Sequence, residues 1–263
     1  ERGAIFVDSV DEIPEGSTVV FSAHGIAPAV RDAANARGLT AIDATCPLVT
    51  KVHTQARRYA EGGYTIVLIG HAGHEEVEGT TGEAPDATVL IESAADAEAL
   101  ALPAGARLAY ITQTTLSVDE THEIVEVLRR RFPTIEGPEK EDICYATSNR
   151  QWAVKEMLDE IELLLVVGSH NSSNSIRLVD VAHAAGVAAH LVNDASEIIE
   201  SWLEDVTVVG VTSGASAPER LVDGVCDWFR AHGVDDISAF SSAYEDVVFK
   251  LPVELRRAER SAA

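Results

Sequence analysis

Five times along this chain a short apolar run ends in a cluster of small polar residues, and a helical period follows. Val19-Val20-Phe21 leads to Ser22-Ala23-His24-Gly25, after which Pro28 opens a helix that stops at Gly38. Thr65-Ile66-Val67-Leu68-Ile69 leads to Gly70-His71-Ala72-Gly73-His74, and Leu108-Ala109-Tyr110-Ile111 leads to Thr112-Gln113-Thr114-Thr115. Leu163-Leu164-Leu165-Val166-Val167 leads to Gly168-Ser169-His170-Asn171-Ser172-Ser173-Asn174-Ser175. Val206-Thr207-Val208-Val209-Gly210-Val211 leads to Thr212-Ser213-Gly214-Ala215-Ser216. Strands apolar on both faces belong to parallel sheets covered by helices. Ligands of such sheets bind beyond the carboxyl ends of the strands, where all five polar clusters fall. The pattern predicts an α/β enzyme with a site built from these clusters. The unit recurs without a fixed period, which excludes a solenoid.

Helix boundaries are marked by local chemistry. Ser117-Val118-Asp119-Glu120 has capping-box spacing ahead of a helix to about Arg131. Ser148-Asn149-Arg150-Gln151 has the same form and predicts a helix running to about Glu160. Pro218 suits the first turn of a helix holding Leu221, Val225 and Phe229, and glycines 38, 186 and 233 suit helix ends. Residues 2–7 read as a turn running into a strand, and with Glu1 in place of a starting methionine they predict a gene product that begins further upstream.

With 263 residues and 46% apolar composition, the chain can bury a sizeable core. No apolar run approaches the roughly 18 residues of a membrane span, and no leader pattern opens the chain, so a soluble cytoplasmic protein is expected. The formal charge is −23, from 43 acidic and 20 basic residues, only four of them lysine. Such a surface repels nucleic acid and anionic membranes, and neither is expected as a partner. An anionic substrate is also repelled at long range, so a phosphate site must work through local donors.

The three cysteines, 46, 144 and 226, are odd in number and widely spaced, which argues against a disulfide framework. Pro47 suits a first helical position and so puts Cys46 at a helix N-terminus, where backbone N–H groups and the dipole favour a thiolate. Cys144 also precedes a helix. Cys226 lies inside the helix after Pro218, beside Val225 and Phe229, and reads as a core residue.

His71 and His74 stand three apart in a glycine-bearing loop followed by Glu75, Glu76 and Glu78. Two histidines and a carboxylate can bind zinc, as in a hydrolase, or bind an anion and move protons. The loop Gly168–Ser175 crowds two asparagines and four serines between a strand and a helix. Hydroxyls, amides and helix N-terminal N–H groups together hold phosphate oxygens without lysine, and the loop 212–216 has the same character. Neither loop is a P-loop, because the glycine–lysine–threonine ending is absent.

Together, Asp43-Ala44-Thr45-Cys46-Pro47-Leu48-Val49-Thr50-Lys51-Val52-His53, Gly70-His71-Ala72-Gly73-His74, Asp142-Ile143-Cys144-Tyr145-Ala146-Thr147, residues 168–175 and Gly214-Ala215-Ser216-Ala217-Pro218 resemble the 4-hydroxy-3-methylbut-2-enyl diphosphate reductases. These enzymes close the non-mevalonate isoprenoid pathway. The resemblance runs from Glu1 to about Leu255. It implies three αβ domains with mostly parallel sheets in a trefoil around a central [4Fe-4S] cluster, the first domain incomplete. The implied segments are 1–46, 47–141 and 142–228, with 229–263 as a C-terminal segment. It implies Cys46 and Cys144 as cluster ligands, the third cysteine lying upstream of Glu1. It implies His24, His74, Ser172, Ser173, Asn174 and Ser216 as diphosphate ligands, and Glu76 and Thr114 as catalytic residues at the substrate hydroxyl. The expected partners are a small allylic diphosphate and an electron donor such as ferredoxin or flavodoxin, for which Arg57, Arg58 and Arg129 to Arg131 are candidate basic contacts. The alternatives are a diphosphate-binding paralogue without a cluster and a zinc hydrolase using His71, His74 and Glu76.

Overall fold

The computed structural model describes residues 3–103, 105–242 and 245–256. The chain divides into two compact units. One comprises Glu1–Thr114, His122–Asp142 and Val247–Ala263, the other Thr115–Thr121 and Ile143–Asp246.

The first unit holds two parallel sheets. Strand β1 (Thr18–Phe21) pairs with β2 (Thr40–Asp43), and helix α1 (Pro28–Ala36) connects them. Phe21, Ala34, Leu39 and Ile13 form their core. The other sheet has the order β4-β3-β5, with β3 at Tyr64–Ile69, β4 at Thr88–Ile91 and β5 at Arg107–Thr112. Helices α2 (Pro47–Glu61) and α3 (Glu75–Glu83) pack on it through Val52, Ala56, Tyr59 and Val77 against Ile66, Leu68, Ala109 and Ile111. Helix α4 (Ala94–Ala99) follows β4, and α5 (Val118–Arg131) follows β5.

The second unit repeats this plan. Helix α6 (Tyr145–Met157) leads to β6 (Leu163–Val167), α7 (Ser173–Ala184), β7 (Ala188–Val192), β8 (Val209–Ser213) and α8 (Glu219–Ala231), with parallel sheet order β7-β6-β8. Every residue of β6 is buried. Leu164 and Val166 face Val154 and Leu178, whereas Leu163, Leu165 and Val167 face Val225 and Phe229. Burial of each such side chain contributes about 1.5–3 kcal/mol, which is why the run is apolar without alternation.

In both three-stranded sheets the chain moves from the central strand to one neighbour and then returns to the other side. That reversal is the topological switch point at which an open α/β sheet leaves a crevice. It falls beyond the ends of β3 and β5 in the first unit and of β6 and β8 in the second. A glycine follows each central strand. A Cβ at Gly70 would lie 2.6 Å from Val77 Cγ2, and one at Gly168 would lie 2.3 Å from Ser175 Oγ. Only glycine lets the next helix pack so close to the strand end.

Several boundaries differ from the sequence expectation. The stretch 4–7 forms no strand, and Ile5 and Phe6 are exposed at 88% and 96%; Arg2 lies outside the described residues. Helix α6 starts at Tyr145, not after Ser148, because Cys144 itself takes the extended N-cap backbone at φ −62°, ψ 135°. Gln151 is buried and tied to Leu116 O and Val118 N, so it serves packing and not a cap. Strand β8 begins at Val209, since Thr207 and Val208 N–H groups turn to Glu162, and it takes in Thr212 and Ser213 from the expected loop. Cys226 is half-buried and not a core residue. Among the described residues no helix is long and apolar enough to cross a membrane.

Candidate active site

The crevice of the first unit is walled by α3 and the segment after β5. Glu76, in the first turn of α3, is 1% exposed. Its carboxylate accepts the Thr114 N–H at 2.6 Å and the Thr114 hydroxyl at 3.0 Å. Burial pushes Glu76 up to about 7, and the buried Asp142 carboxylate adds to the rise, while the Thr114 hydrogen bonds resist it. The group can therefore hold or release a proton near neutral pH, which suits a general acid.

His74 is the N-cap of α3, and its Nδ1 accepts the Glu76 N–H at 3.1 Å. Burial holds His74 below the usual histidine range, and neighbouring His24 reinforces this. A neutral ring accepting at Nδ1 carries its proton on Nε2, available as a donor. His24 lies beside it, with ring centroids 5.4 Å apart. Its Nδ1 is 3.1 Å from Glu75 Oε2, which also accepts the Ser22 hydroxyl. Burial raises Glu75, but the hydrogen bonds from His24 and Ser22 outweigh it and hold the carboxyl below its usual range. A carboxylate at Nδ1 fixes that nitrogen as the donor to Glu75, so both histidines turn Nε2 away from α3.

Helix α3 carries two glycines in nine residues, each costing roughly 1 kcal/mol against alanine. Close approach explains both. A Cβ at Gly79 would meet the Gly25 backbone at 3.3 Å, and one at Gly82 would meet Ala27 Cβ at 2.4 Å. The His24 loop is thus pressed against the helix that carries Glu75 and Glu76. Gly25, at φ +80°, sits on His53, whose Cε1 a Cβ would approach to 2.8 Å. His53 is buried and paired through Nδ1 with Glu83 at 3.0 Å, and Glu83 also binds Arg57.

His71 has a different setting. Its N–H donates to Gln113 Oε1, and its Nδ1 is 3.7 Å from Glu92. Glu76 is engaged by Thr114 and His74 Nδ1 by a backbone N–H. His71, His74 and Glu76 do not form a group able to hold a metal ion, so the zinc arrangement is not assembled.

The crevice of the second unit gathers hydroxyls and amides. Ser172 is the N-cap of α7, and its side chain makes no capping bond. Ser175 donates to Ser172 Oγ at 3.0 Å. Asn174 is 6% exposed, and its Oδ1 accepts the Ala215 N–H at 3.3 Å, which leaves the amide NH₂ as donor. Ser216 is exposed on the turn after β8. Ser173 donates its hydroxyl to Thr115 O at 3.3 Å, so it is partly committed to the backbone.

Cys46 and Cys144 occupy the same local position in their own units, as N-caps of α2 and α6 without a side-chain capping bond. No disulfide joins either of them. Lys51, on α2, grips the segment before Cys144 within the first unit: Nζ donates to Lys140 O and Glu141 O and lies 3.0 Å from Asp142 Oδ1. The C-terminal stretch 248–254 lies across the start of α2, where with Asp43, Thr45, Pro47 and Thr50 it lines an open cavity of about 510 Å³. The candidate basic contacts are largely occupied. Arg57 pairs with Glu83, Arg130 with Glu98, Arg131 with Ala97 O and Leu100 O, and Arg129 with Tyr110.

Sequence reasoning missed Glu75, Ser175 and the Lys51–Asp142 pair. The glycines within the Glu-rich stretch 75–83 were a legible sign of close packing there. Nothing in the sequence marked Asp142 as the partner of Lys51.

Fold and crevices together define a class: a parallel α/β protein with a buried carboxyl at the strand ends of one sheet and hydroxyl and amide donors at the strand ends of another. The chain belongs to the LytB protein family, whose profile matches residues 1–230. It is 58% identical over 257 residues to the 4-hydroxy-3-methylbut-2-enyl diphosphate reductase of Acidothermus cellulolyticus, covering 97% of this chain and 76% of the relative. It is 55% identical over 261 residues to the enzyme of the same name from Nocardia farcinica, covering 99% and 78%. The solved structure of the E-1-hydroxy-2-methyl-but-2-enyl-4-diphosphate reductase from Plasmodium falciparum superposes with a TM-score of 0.93 at 37% identity, covering 99% of this chain and 82% of that one.

Proposed function

We propose that this protein reductively removes the hydroxyl of (E)-4-hydroxy-3-methylbut-2-enyl diphosphate, giving isopentenyl and dimethylallyl diphosphate. The observation that carries the reading is a carboxyl held near neutrality, Glu76, clasped by Thr114 and adjoining a pair of histidines with outward Nε2 groups. A diphosphate needs several donors, and hydroxide needs a proton to leave as water.

His74 donates through Nε2 to a diphosphate oxygen, His24 contacts the diphosphate beside it, and Ser172, Asn174 and Ser216 donate hydroxyl and amide protons to the diphosphate. Ser173 joins them through its backbone at the start of α7. None of these donors is lysine, consistent with neutral recognition within a strongly acidic molecule. Glu76 supplies the proton that converts the departing hydroxyl to water. The Thr114 hydroxyl, 3.0 Å from Glu76 Oε2, orients the carboxyl and can pass its proton on. A second proton ends on carbon, at either end of the allyl unit, which accounts for two isomeric products.

Cys46 and Cys144 fit a thiolate-ligated iron–sulfur cluster by chemistry and placement. Both sulfurs sit at helix N-termini, which favour negative charge, and neither caps its helix. They would hold a [4Fe-4S] cluster, which supplies the electron pair and a Lewis-acidic iron. Cys226, half-buried in α8, is excluded from this set. A small electron-carrier protein such as ferredoxin or flavodoxin delivers the electrons in a reducing cytoplasm. The segments 1–46, 47–141, 142–228 and 229–263 are the domains of this reading.

The test is anaerobic purification of the full-length protein and its Cys46→Ser and Cys144→Ser variants, with iron, sulfide and visible absorbance measured. Wild-type protein should be brown and bleach in oxygen, and each variant should lose iron and sulfide. A colourless wild-type protein that retains neither would overturn the assignment.

A further inference from the structure

We propose that Ser175 is a positioning residue of the diphosphate site, presetting Ser172 as a hydrogen-bond donor; this rests on the diphosphate reading above. Ser175 is 1% exposed in the first turn of α7. Its hydroxyl is wedged between the ends of the two strands that flank the crevice of its unit. A Cβ at Gly168, after β6, would lie 2.3 Å from Ser175 Oγ, and one at Gly214, after β8, would lie 2.1 Å from it. Both glycines are therefore required by the Ser175 side chain, which fills the space that side chains there would take.

The hydroxyl is aimed. It donates to Ser172 Oγ at 3.0 Å. An N-cap serine ordinarily accepts a backbone N–H from the second or third helical residue, but Ser172 makes no such bond. It accepts from the Ser175 side chain instead. A hydroxyl has one proton and two lone pairs, so a Ser172 oxygen that accepts from Ser175 turns its own proton elsewhere, toward an oxyanion at the helix start. Asn174 is set in the same sense, because the Ala215 N–H occupies its Oδ1. The first turn of α7 thus offers donors before any anion arrives, which lowers the reorganisation needed on binding.

Binding of inorganic pyrophosphate to the full-length protein, measured by calorimetry, tests this together with KM and kcat on the allylic diphosphate. Ser175→Ala removes a single oxygen, and its fold is checked by thermal unfolding. It should weaken pyrophosphate binding and raise KM by roughly threefold to tenfold, the range of one neutral hydrogen bond, with kcat nearly unchanged. In a Ser172→Ala background the same change should have no further effect, because its action passes through Ser172. Unchanged binding in Ser175→Ala, with Ser172→Ala weakened, would overturn the inference and leave the diphosphate reading standing. Equal losses from Ser175→Ala with and without Ser172 would reduce it to a packing role. If Ser172→Ala and Asn174→Ala both bind pyrophosphate as wild type does, the diphosphate reading itself fails.

Discussion

Thr114 holds Glu76 at two points, through its backbone N–H and through its hydroxyl, at 2.6 Å and 3.0 Å. The two residues end different connections of one sheet: Glu76 follows β3 and Thr114 follows β5. The crevice between those strands is where the order β4-β3-β5 reverses. Thr114→Val keeps the backbone bond and removes the hydroxyl. A hydrogen bond to an ionisable partner contributes about 1.5–3 kcal/mol, so kcat should fall roughly tenfold to a hundredfold while KM changes little. Steady-state kinetics on the two proteins checks this.

The raised pKa of Glu76 makes activity and stability depend on pH. A general acid at Glu76 works from its protonated form, so in the proposed mechanism kcat should fall as pH rises through about 7. For stability, the unfolded carboxyl releases its proton near 4.5 and the folded one near 7. Between those values the native state binds more protons than the unfolded state, so stability decreases as pH rises. The loss across the window is about 3 kcal/mol, at 1.36 kcal/mol per unit. Glu76→Gln should flatten that part of the profile in denaturant titrations at several pH values.

Gly82 faces Ala27 where α3 meets the His24 loop, and a Cβ there would lie 2.4 Å from Ala27 Cβ. Gly82→Ala should destabilise the protein by about 1–3 kcal/mol, as overpacking does. It should also raise KM, because the loop carrying His24 is displaced. Urea denaturation and kinetics measured side by side test both effects.

Glu75 holds His24 and Ser22 from a largely exposed position, with side-chain exposures of 67% for Glu75 and 49% for His24. Solvent screening limits such a pair to about 1 kcal/mol or less. Glu75→Ala should therefore raise KM severalfold at most and leave the thermal midpoint unchanged. A large loss of kcat would contradict the assignment of Glu75 to orientation alone.

Much of this architecture was legible because parallel strands buried on both faces need uninterrupted apolar runs. Leu163–Val167 and Tyr64–Ile69 are such runs, and the candidate residues of each unit follow their ends. The edge strands Thr40–Asp43, Thr88–Ile91 and Ala188–Val192 are short and partly exposed, so their periodicity was too weak to mark. The start of α6 was misplaced because Ser148 and Gln151 mimic a capping box, whereas Gln151 is drawn inward by Leu116 O and Val118 N. Motif residues such as His24, His74 and Asn174 could be picked out by type. Their supports, Glu75 and Ser175, could not, since their roles depend on neighbours distant in sequence or on burial.

The most direct test of the account is turnover of the allylic diphosphate by anaerobic full-length Glu76→Gln, with iron and sulfide measured on the same sample. The account predicts an iron content equal to wild type and turnover lowered by roughly a hundredfold to ten-thousandfold, the span of a lost general acid. Near-normal turnover with full iron content would remove Glu76 from the mechanism and contradict the account.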